Sequence, residues 1–150
     1  MALDFPNSPT IGQTFPVSGA TNIPIWQWDG TAWQATGPLG FQTGVIPQNS
    51  QSANYTTVLA DAGKFIYHPA SDANARTFTI PANATVSYTI GTTISFINLS
   101  TNALTIAITT DTMYLSPGGT TGSRTLAQYG RADALKVDTA IWVIRGSGLT

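Results

Sequence analysis

Any chemistry in this chain has to be built from a short supply of reactive groups. The 150 residues include one histidine, His68, seven aspartates, no glutamate and no cysteine. Disulfides, thiolate metal sites and cysteine nucleophiles are therefore excluded. His68 stands in Ile66-Tyr67-His68-Pro69, at the end of an expected strand. Alone it supplies one of the three or four ligands a zinc site needs, and only a trimer could gather three copies on an axis. No Gly-x-Ser-x-Gly elbow accompanies it, so a Ser-His-Asp triad has no sequence frame. Asp29, Asp61, Asp72 and Asp138 sit beside Gly, Ala, Asn or Thr. In such turn-like contexts an Asx side chain bonds its own backbone rather than serving in a paired-carboxylate site. Gly118-Gly119 and Gly146-x-Gly148 are too sparse to cradle phosphate, and no acidic calcium loop is present. The expectation is a non-enzyme with no catalytic residue, no metal and no cofactor, in which His68→Ala leaves assembly and stability unchanged.

Aromatic residues are the better supplied resource. Tyr114 and Tyr129 are candidate sugar contacts, since an aromatic face stacks on a pyranose while neighbouring Thr and Asn offer neutral hydrogen bonds. In Ile25-Trp26-Gln27-Trp28-Asp29-Gly30-Thr31-Ala32-Trp33, the Asp-Gly pair signals a hairpin turn. A two-residue loop sets Trp26 opposite Trp33, and a four-residue loop sets Trp28 there. Either way Trp26, Trp28 and Trp33 share one face, because side chains alternate along a strand. That face is either the small core of an N-terminal module or its docking platform.

The elements that would hold these groups are strands. Only 9% of residues are charged and net charge is −1. Thr, Ile, Val, Tyr and Phe take the places that Glu, Lys and Leu occupy in helical proteins. The six basic residues are scattered singly, which gives no footprint for nucleic acid. No apolar run reaches the length of a spanning helix, and Met1 to Gly12 lacks the pattern of a secretory signal, so membrane insertion is not expected. Alternation marks strands at Phe78 to Ile80, Val86 to Ile90 and Leu104 to Ile108. Turn residues punctuate them at Pro81-Ala82-Asn83, Ser100-Thr101-Asn102, Pro117-Gly118-Gly119 and Val137-Asp138-Thr139. One helical turn is expected within Val58 to Lys64, and no long-period repeat is visible.

These signals predict an all-β protein: a Trp-rich hairpin module over 1–37, a Pro/Gly linker over 38–52, and an antiparallel β-sandwich or jelly-roll-like module over 53–150. Ile94 to Leu99 and Ile141 to Ile144 are apolar on both faces, which calls for a second sheet or a second subunit. Ile94, Phe96, Ile97, Leu99, Trp142 and Ile144 are accordingly expected to contact partner copies.

The order of certain phrases also resembles a β-rich module of tailed-bacteriophage surface proteins. They are Leu59-Ala60-Asp61-Ala62-Gly63-Lys64, then Thr79-Ile80-Pro81, then Asp138-Thr139-Ala140-Ile141-Trp142, then Gly148-Leu149-Thr150. Ala140 and Ile141 place one residue more before the Trp than the family pattern has. The opening Leu3-Asp4-Phe5-Pro6-Asn7-Ser8-Pro9-Thr10-Ile11-Gly12-Gln13-Thr14-Phe15, followed by Trp26-x-Trp28-Asp29-Gly30-x-x-Trp33, is similar to a short module near the start of phage tail and fibre proteins. The resemblance implies a non-catalytic virion structural protein assembled in the host bacterial cytoplasm. It implies a homotrimeric tail fibre, head fibre, spike or capsid decoration that contacts other capsid or tail proteins. Host attachment through a surface glycan is a further expectation. The alternative is a carbohydrate-binding receptor module of a fibre tip.

Overall fold

In the computed structural model, residues 5–15, 25–36 and 45–150 are described. The chain divides into two compact units, residues 1–45 and 46–150.

The small unit is an antiparallel sheet of β1 (Thr14–Phe15), β2 (Ile25–Trp28) and β3 (Trp33–Thr36), in that order. Of the two hairpin loops the sequence allows, the four-residue one forms, and Trp28 pairs with Trp33. Asp29 explains the choice. Its Oδ1 accepts the backbone N–H groups of Thr31 and Ala32, each at 2.8 Å, and Oδ2 accepts the Gln34 side-chain amide at 3.0 Å. These donors, Ala32 foremost, hold its carboxyl below the ordinary carboxylate range. Gly30 supplies the positive φ of +106° that the loop needs.

The larger unit is built differently from the expected antiparallel sandwich, although it is all strand and turn apart from one 3₁₀ turn at Leu59–Asp61. β4 (Gln48–Ser50), β5 (Tyr55–Thr56), β6 (Phe65–His68), β7 (Arg76–Ile80), β8 (Thr93–Asn98) and β9 (Leu104–Ile108) alternate between two layers. In one layer β4, β6 and β8 are parallel neighbours; in the other β5, β7 and β9 are. Consecutive pairs thus form three stacked coils. The offset between coils changes as the chain winds, with Gln48 beside Phe65 but Phe65 beside Ser95, so no fixed sequence period exists.

Two long strands close the stack. β10 (Thr112–Leu115) runs parallel to β12 (Ile141–Leu149), which pairs antiparallel with β11 (Arg124–Asp138). Arg124 to Leu126 of β11 pair with β9 in one layer, whereas Arg131 to Leu135 pair with β8 in the other. Between them the register shifts and Tyr129 takes a φ of 62°, the bulge that lets one strand serve both layers.

The core lies between the layers. Ile66, Phe78, Ile80, Ile94, Phe96, Leu104, Ile106, Met113, Leu126, Trp142 and Ile144 are all fully buried. Across the layer of β6, β8, β11 and β12, one inward row reads Ile66, Phe96, Ala132, Gly146. Bulk shrinks along it to nothing at Gly146, an exposed position where the backbones of β11 and β12 leave no room for a Cβ. Tyr88 packs edge-on against Trp142 with centroids 5.6 Å apart, donates its hydroxyl to the Val58 carbonyl at 2.7 Å, and is pushed up to about 12 by burial. Lys136 is buried above the same indole, its ammonium 5.5 Å from the ring centroid and donating to Asn83 Oδ1 at 2.6 Å.

Two assignments differ from expectation. Gln48–Ser50 pairs with β6, so the larger unit begins well before residue 53 and the tail of the 38–52 stretch belongs to a sheet; residues 38–44 lie outside the described residues. Val86 to Ile90 alternates in sequence yet forms no strand. Thr85 and Val86 N–H both bond the Ala82 carbonyl, and Asp111 accepts the Asn83 N–H, so the segment stays a loop that inserts Tyr88 and leaves Ile90 exposed.

Candidate functional site

The tryptophan face of the small unit is a packed cluster. Phe5 stacks on Trp33 with centroids 5.1 Å apart and meets Trp26 edge-on at 5.6 Å. Phe15 meets Trp33 at 6.3 Å, and Trp28 leans on Trp33 at 5.7 Å. Trp26, Trp28 and Trp33 are each half-buried within this cluster. The opening Phe5 and Phe15 therefore act as the lid of an aromatic core.

Four of the expected partner-contact residues cannot serve in that way. Ile94, Phe96, Trp142 and Ile144 have no exposed surface, because the second layer covers them within the chain itself. Ile97 and Leu99 remain half-buried. The two-sided apolar pattern has a different cause: Ile97, Ile141 and Val143 lie on the outer face of their layer, where partial burial by neighbouring strands suffices.

His68 is no plain strand-end residue either. It is fully buried, with Nδ1 3.0 Å from Asn98 Oδ1 and Nε2 3.1 Å from Asp72 Oδ2. Asn98 is fixed in orientation, since its Nδ2 donates to the carbonyls of Asn102 and Leu126 while Oδ1 accepts the Ser100 N–H. Both ring nitrogens thus face side-chain oxygens. Arg76 completes the cluster, donating Nε to Asp72 Oδ2 at 2.7 Å and Nη2 to Oδ1 at 3.2 Å. With Asp72 only 6% exposed and Ser100 Oγ committed to the Asp72 carbonyl, no substrate reaches the group. It is a fastener joining β6, β7 and β8 with the loops after them. Among the described residues no three His, Cys, Asp or Glu side chains gather as a metal set.

Hydrogen bonds from Arg76 and Asn74 hold the Asp72 carboxyl well below the ordinary carboxylate range. A carboxylate with a depressed folded-state value stabilises the fold above its unfolded value of about 3.9, and that contribution is lost as the pH falls through the folded value. Stability of the larger unit is expected to drop as the pH is lowered from about 5 toward 2. Asp72→Asn should flatten that drop. Urea midpoints of the two proteins across this range check it, and equal slopes would remove Asp72 as the source.

Asp61 is a second fastener, and the Leu59 to Lys64 phrase marks it. It is buried, accepting the Asn49 amide at 2.9 Å, the Tyr55 hydroxyl at 2.7 Å and the Val58 N–H at 2.9 Å. It ties β4 and β5 to the turn that follows them.

The outer face of the layer holding β8, β11, β12 and β10 carries the accessible polar chemistry. Cross-strand register sets Ser95, Asp133 and Arg145 in one row, with Ile97, Arg131 and Ser147 beside it and Thr93, Leu135, Val143 and Tyr114 on the other flank. Asp133 Oδ1 accepts Ser95 Oγ at 2.5 Å and Arg131 Nη2 at 3.2 Å. Ser116, Arg131, Asp133, Arg145, Gly146 and Ser147 line an open hollow of about 520 Å³. Tyr114, 38% exposed, stands near one end of this row pattern. Tyr129, 76% exposed, stands two residues before Arg131 toward the other. Sequence reading singled out the tyrosines but not the arginines, which are far apart along the chain and meet only through the β11–β12 register.

No family model, no curated protein and no solved structure matches this chain.

Proposed function

We propose that the chain is a non-enzymatic structural protein of a tailed-bacteriophage particle, a homotrimeric fibre, spike or decoration component displayed on the virion. The observation that carries this reading is where the phage-like phrases fall. Asp61 fastens the first coil, Ile80-Pro81 ends a core strand and Trp142 fills the centre of the core. These residues hold the scaffold, and their order along the chain resembles that of the phage module.

Self-association is supported by the open end of the coil stack. Among the described residues β4 and β5 each pair on one side only, and Ile46, Val58 and Leu59, at 50%, 47% and 59% exposed, border these edges. Unpaired edges beside exposed apolar side chains are the surface a further copy covers. Light scattering of the purified chain should give a mass of three protomers, and Val58→Asp with Leu59→Asp should lower it. Peptides of the chain should be found in gradient-purified particles from the strain that encodes it. A monomer at micromolar concentration would end the trimer proposal, and particles lacking the chain would end the virion proposal.

The aromatic cluster over Trp26, Trp28 and Trp33 is proposed to stabilise the attachment module rather than to touch the particle directly. Phe5 already covers it.

A further inference from the structure

We infer that the hollow between Arg131, Asp133, Arg145, Ser116 and Ser147 binds a sugar bearing a carboxylate, as a monosaccharide or as a unit of an acidic glycan. This goes beyond a structural role on a particle and fails separately from it.

The distribution of charge is the first argument. The chain has six basic and seven acidic residues, and three of them meet in this one place. Elsewhere in the larger unit Arg76 is paired with Asp72, Lys136 is buried on Asn83 and Arg124 donates to the Thr120 carbonyl, while Lys64 stands alone among the described residues on the turn before β6. Arg131 is partly committed to Asp133. Arg145 is exposed, and among the described residues no carboxylate forms an ion pair with it. Its planar fork is free to take a carboxylate through two parallel bonds.

The composition of the lining selects the ligand class. Two arginines against one aspartate leave a single net positive charge, enough for a monoanion and too little for a phosphate polymer, which needs a clustered basic face. Asp133 would repel a second negative charge, yet it accepts hydrogen bonds from ring hydroxyls. The Ser116 and Ser147 hydroxyls can donate or accept. Neutral hydroxyls beside one carboxylate are what an acidic sugar presents.

Backbone strain at the margin is the second argument. Tyr129 is the one non-glycine residue with positive φ among those described, and it holds a large ring in solvent at 76% exposure. A bulky residue does not adopt this conformation without compensation, and bulges commonly re-aim a side chain beside a site. Here the bulge leaves an aromatic face two residues from Arg131, while Tyr114 offers another at the opposite flank.

The test uses the full chain and titration calorimetry with tetragalacturonate, its methyl ester and an α2,8-linked sialic acid trimer. At least one acid oligomer should bind, and the methyl ester, which keeps the hydroxyls and loses the charge, should bind about tenfold or more weakly than its parent acid if the galacturonate is the binder. Arg145→Ala should abolish binding, Arg145→Lys should retain a weakened affinity, and Tyr129→Ala should weaken it. Arg145 is exposed, so an unchanged melting curve will confirm that its variants are folded. Absence of binding by both acids at millimolar concentration overturns the inference. So does binding that ignores Arg145→Ala. If Arg145→Ala instead changes the oligomeric mass of the chain, the hollow is a contact between copies and the glycan site is refuted.

Discussion

Gly146→Ala is expected to destabilise the larger unit by about 3 kcal/mol or more, and to prevent folding where the parent has little stability to spare. Gly146 closes the inward row that begins at Ile66 and passes through Phe96 and Ala132. A Cβ built there would lie 2.1 Å from the Arg131 carbonyl oxygen and 2.7 Å from Ala132 Cα. Both are backbone atoms of a strand paired on its other side with β8, so neither can yield without moving the central sheet. Overpacking of this kind cannot relax by a rotamer change. Gly118→Ala is the matched control, because nothing lies within 4 Å of a Cβ at that position and its φ is not positive. It is expected to change stability by no more than about 0.5 kcal/mol. Urea denaturation followed by circular dichroism compares the two, and a Gly146 variant within about 1 kcal/mol of the parent would show that the strands can part there.

That same row explains why the strand most central to the fold was hard to read. In β11 the inward residues are Ala132, Ala134 and the buried Lys136, while Leu135 and Val137 face out at 41% and 42% exposure. The hydrophobic pattern therefore points the wrong way. Small inward side chains are required because Phe96 lies opposite Ala132, and Ile94 and Ile144 lie opposite Ala134. The bulge at Tyr129 then breaks the parity between Leu126 and the rest of the strand. β7 and β9 were legible because each presents one plain apolar face to the other layer: Phe78 and Ile80, Leu104 and Ile106. The parallel winding was not, since loops of unequal length separate the coils and leave no repeat to detect.

The candidate sites divide in the same manner. Asp29 and Asp61 stand in local phrases whose turn chemistry is written in adjacent residues, and both were recognisable as backbone-bonding aspartates. Arg131 and Arg145 come together only through strand pairing, and nothing near either residue signals the other. His68 was misread for the same reason. One of its partners, Asn98, lies in the next coil, and the other, Asp72, is four residues on but reaches the ring only because the intervening turn folds back.

The corrected expectation for His68→Ala is a loss of about 3 kcal/mol. Removing the ring opens a cavity against Phe78, whose centroid lies 6.0 Å from it, and this costs part of the total through lost packing. The remainder comes from one hydrogen bond lost at each of two buried acceptors, Asn98 Oδ1, which keeps the Ser100 N–H, and Asp72 Oδ2, which keeps Arg76 Nε. Asn98 cannot rotate to compensate, since its amide is already held by the carbonyls of Asn102 and Leu126. Asp72 keeps Arg76 and Asn74 but faces an emptied, apolar space with Oδ2. A double-mutant cycle with Asp72→Asn separates the two contributions. If the bond between ring and carboxylate matters, His68→Ala should cost clearly less in the Asp72→Asn background, with a coupling of about 1 kcal/mol or more. Thermal and urea unfolding of the four proteins supply the measurement. Additive losses would reduce His68 to a space-filling residue, and a neutral His68→Ala would restore the reading of it as a plain strand end.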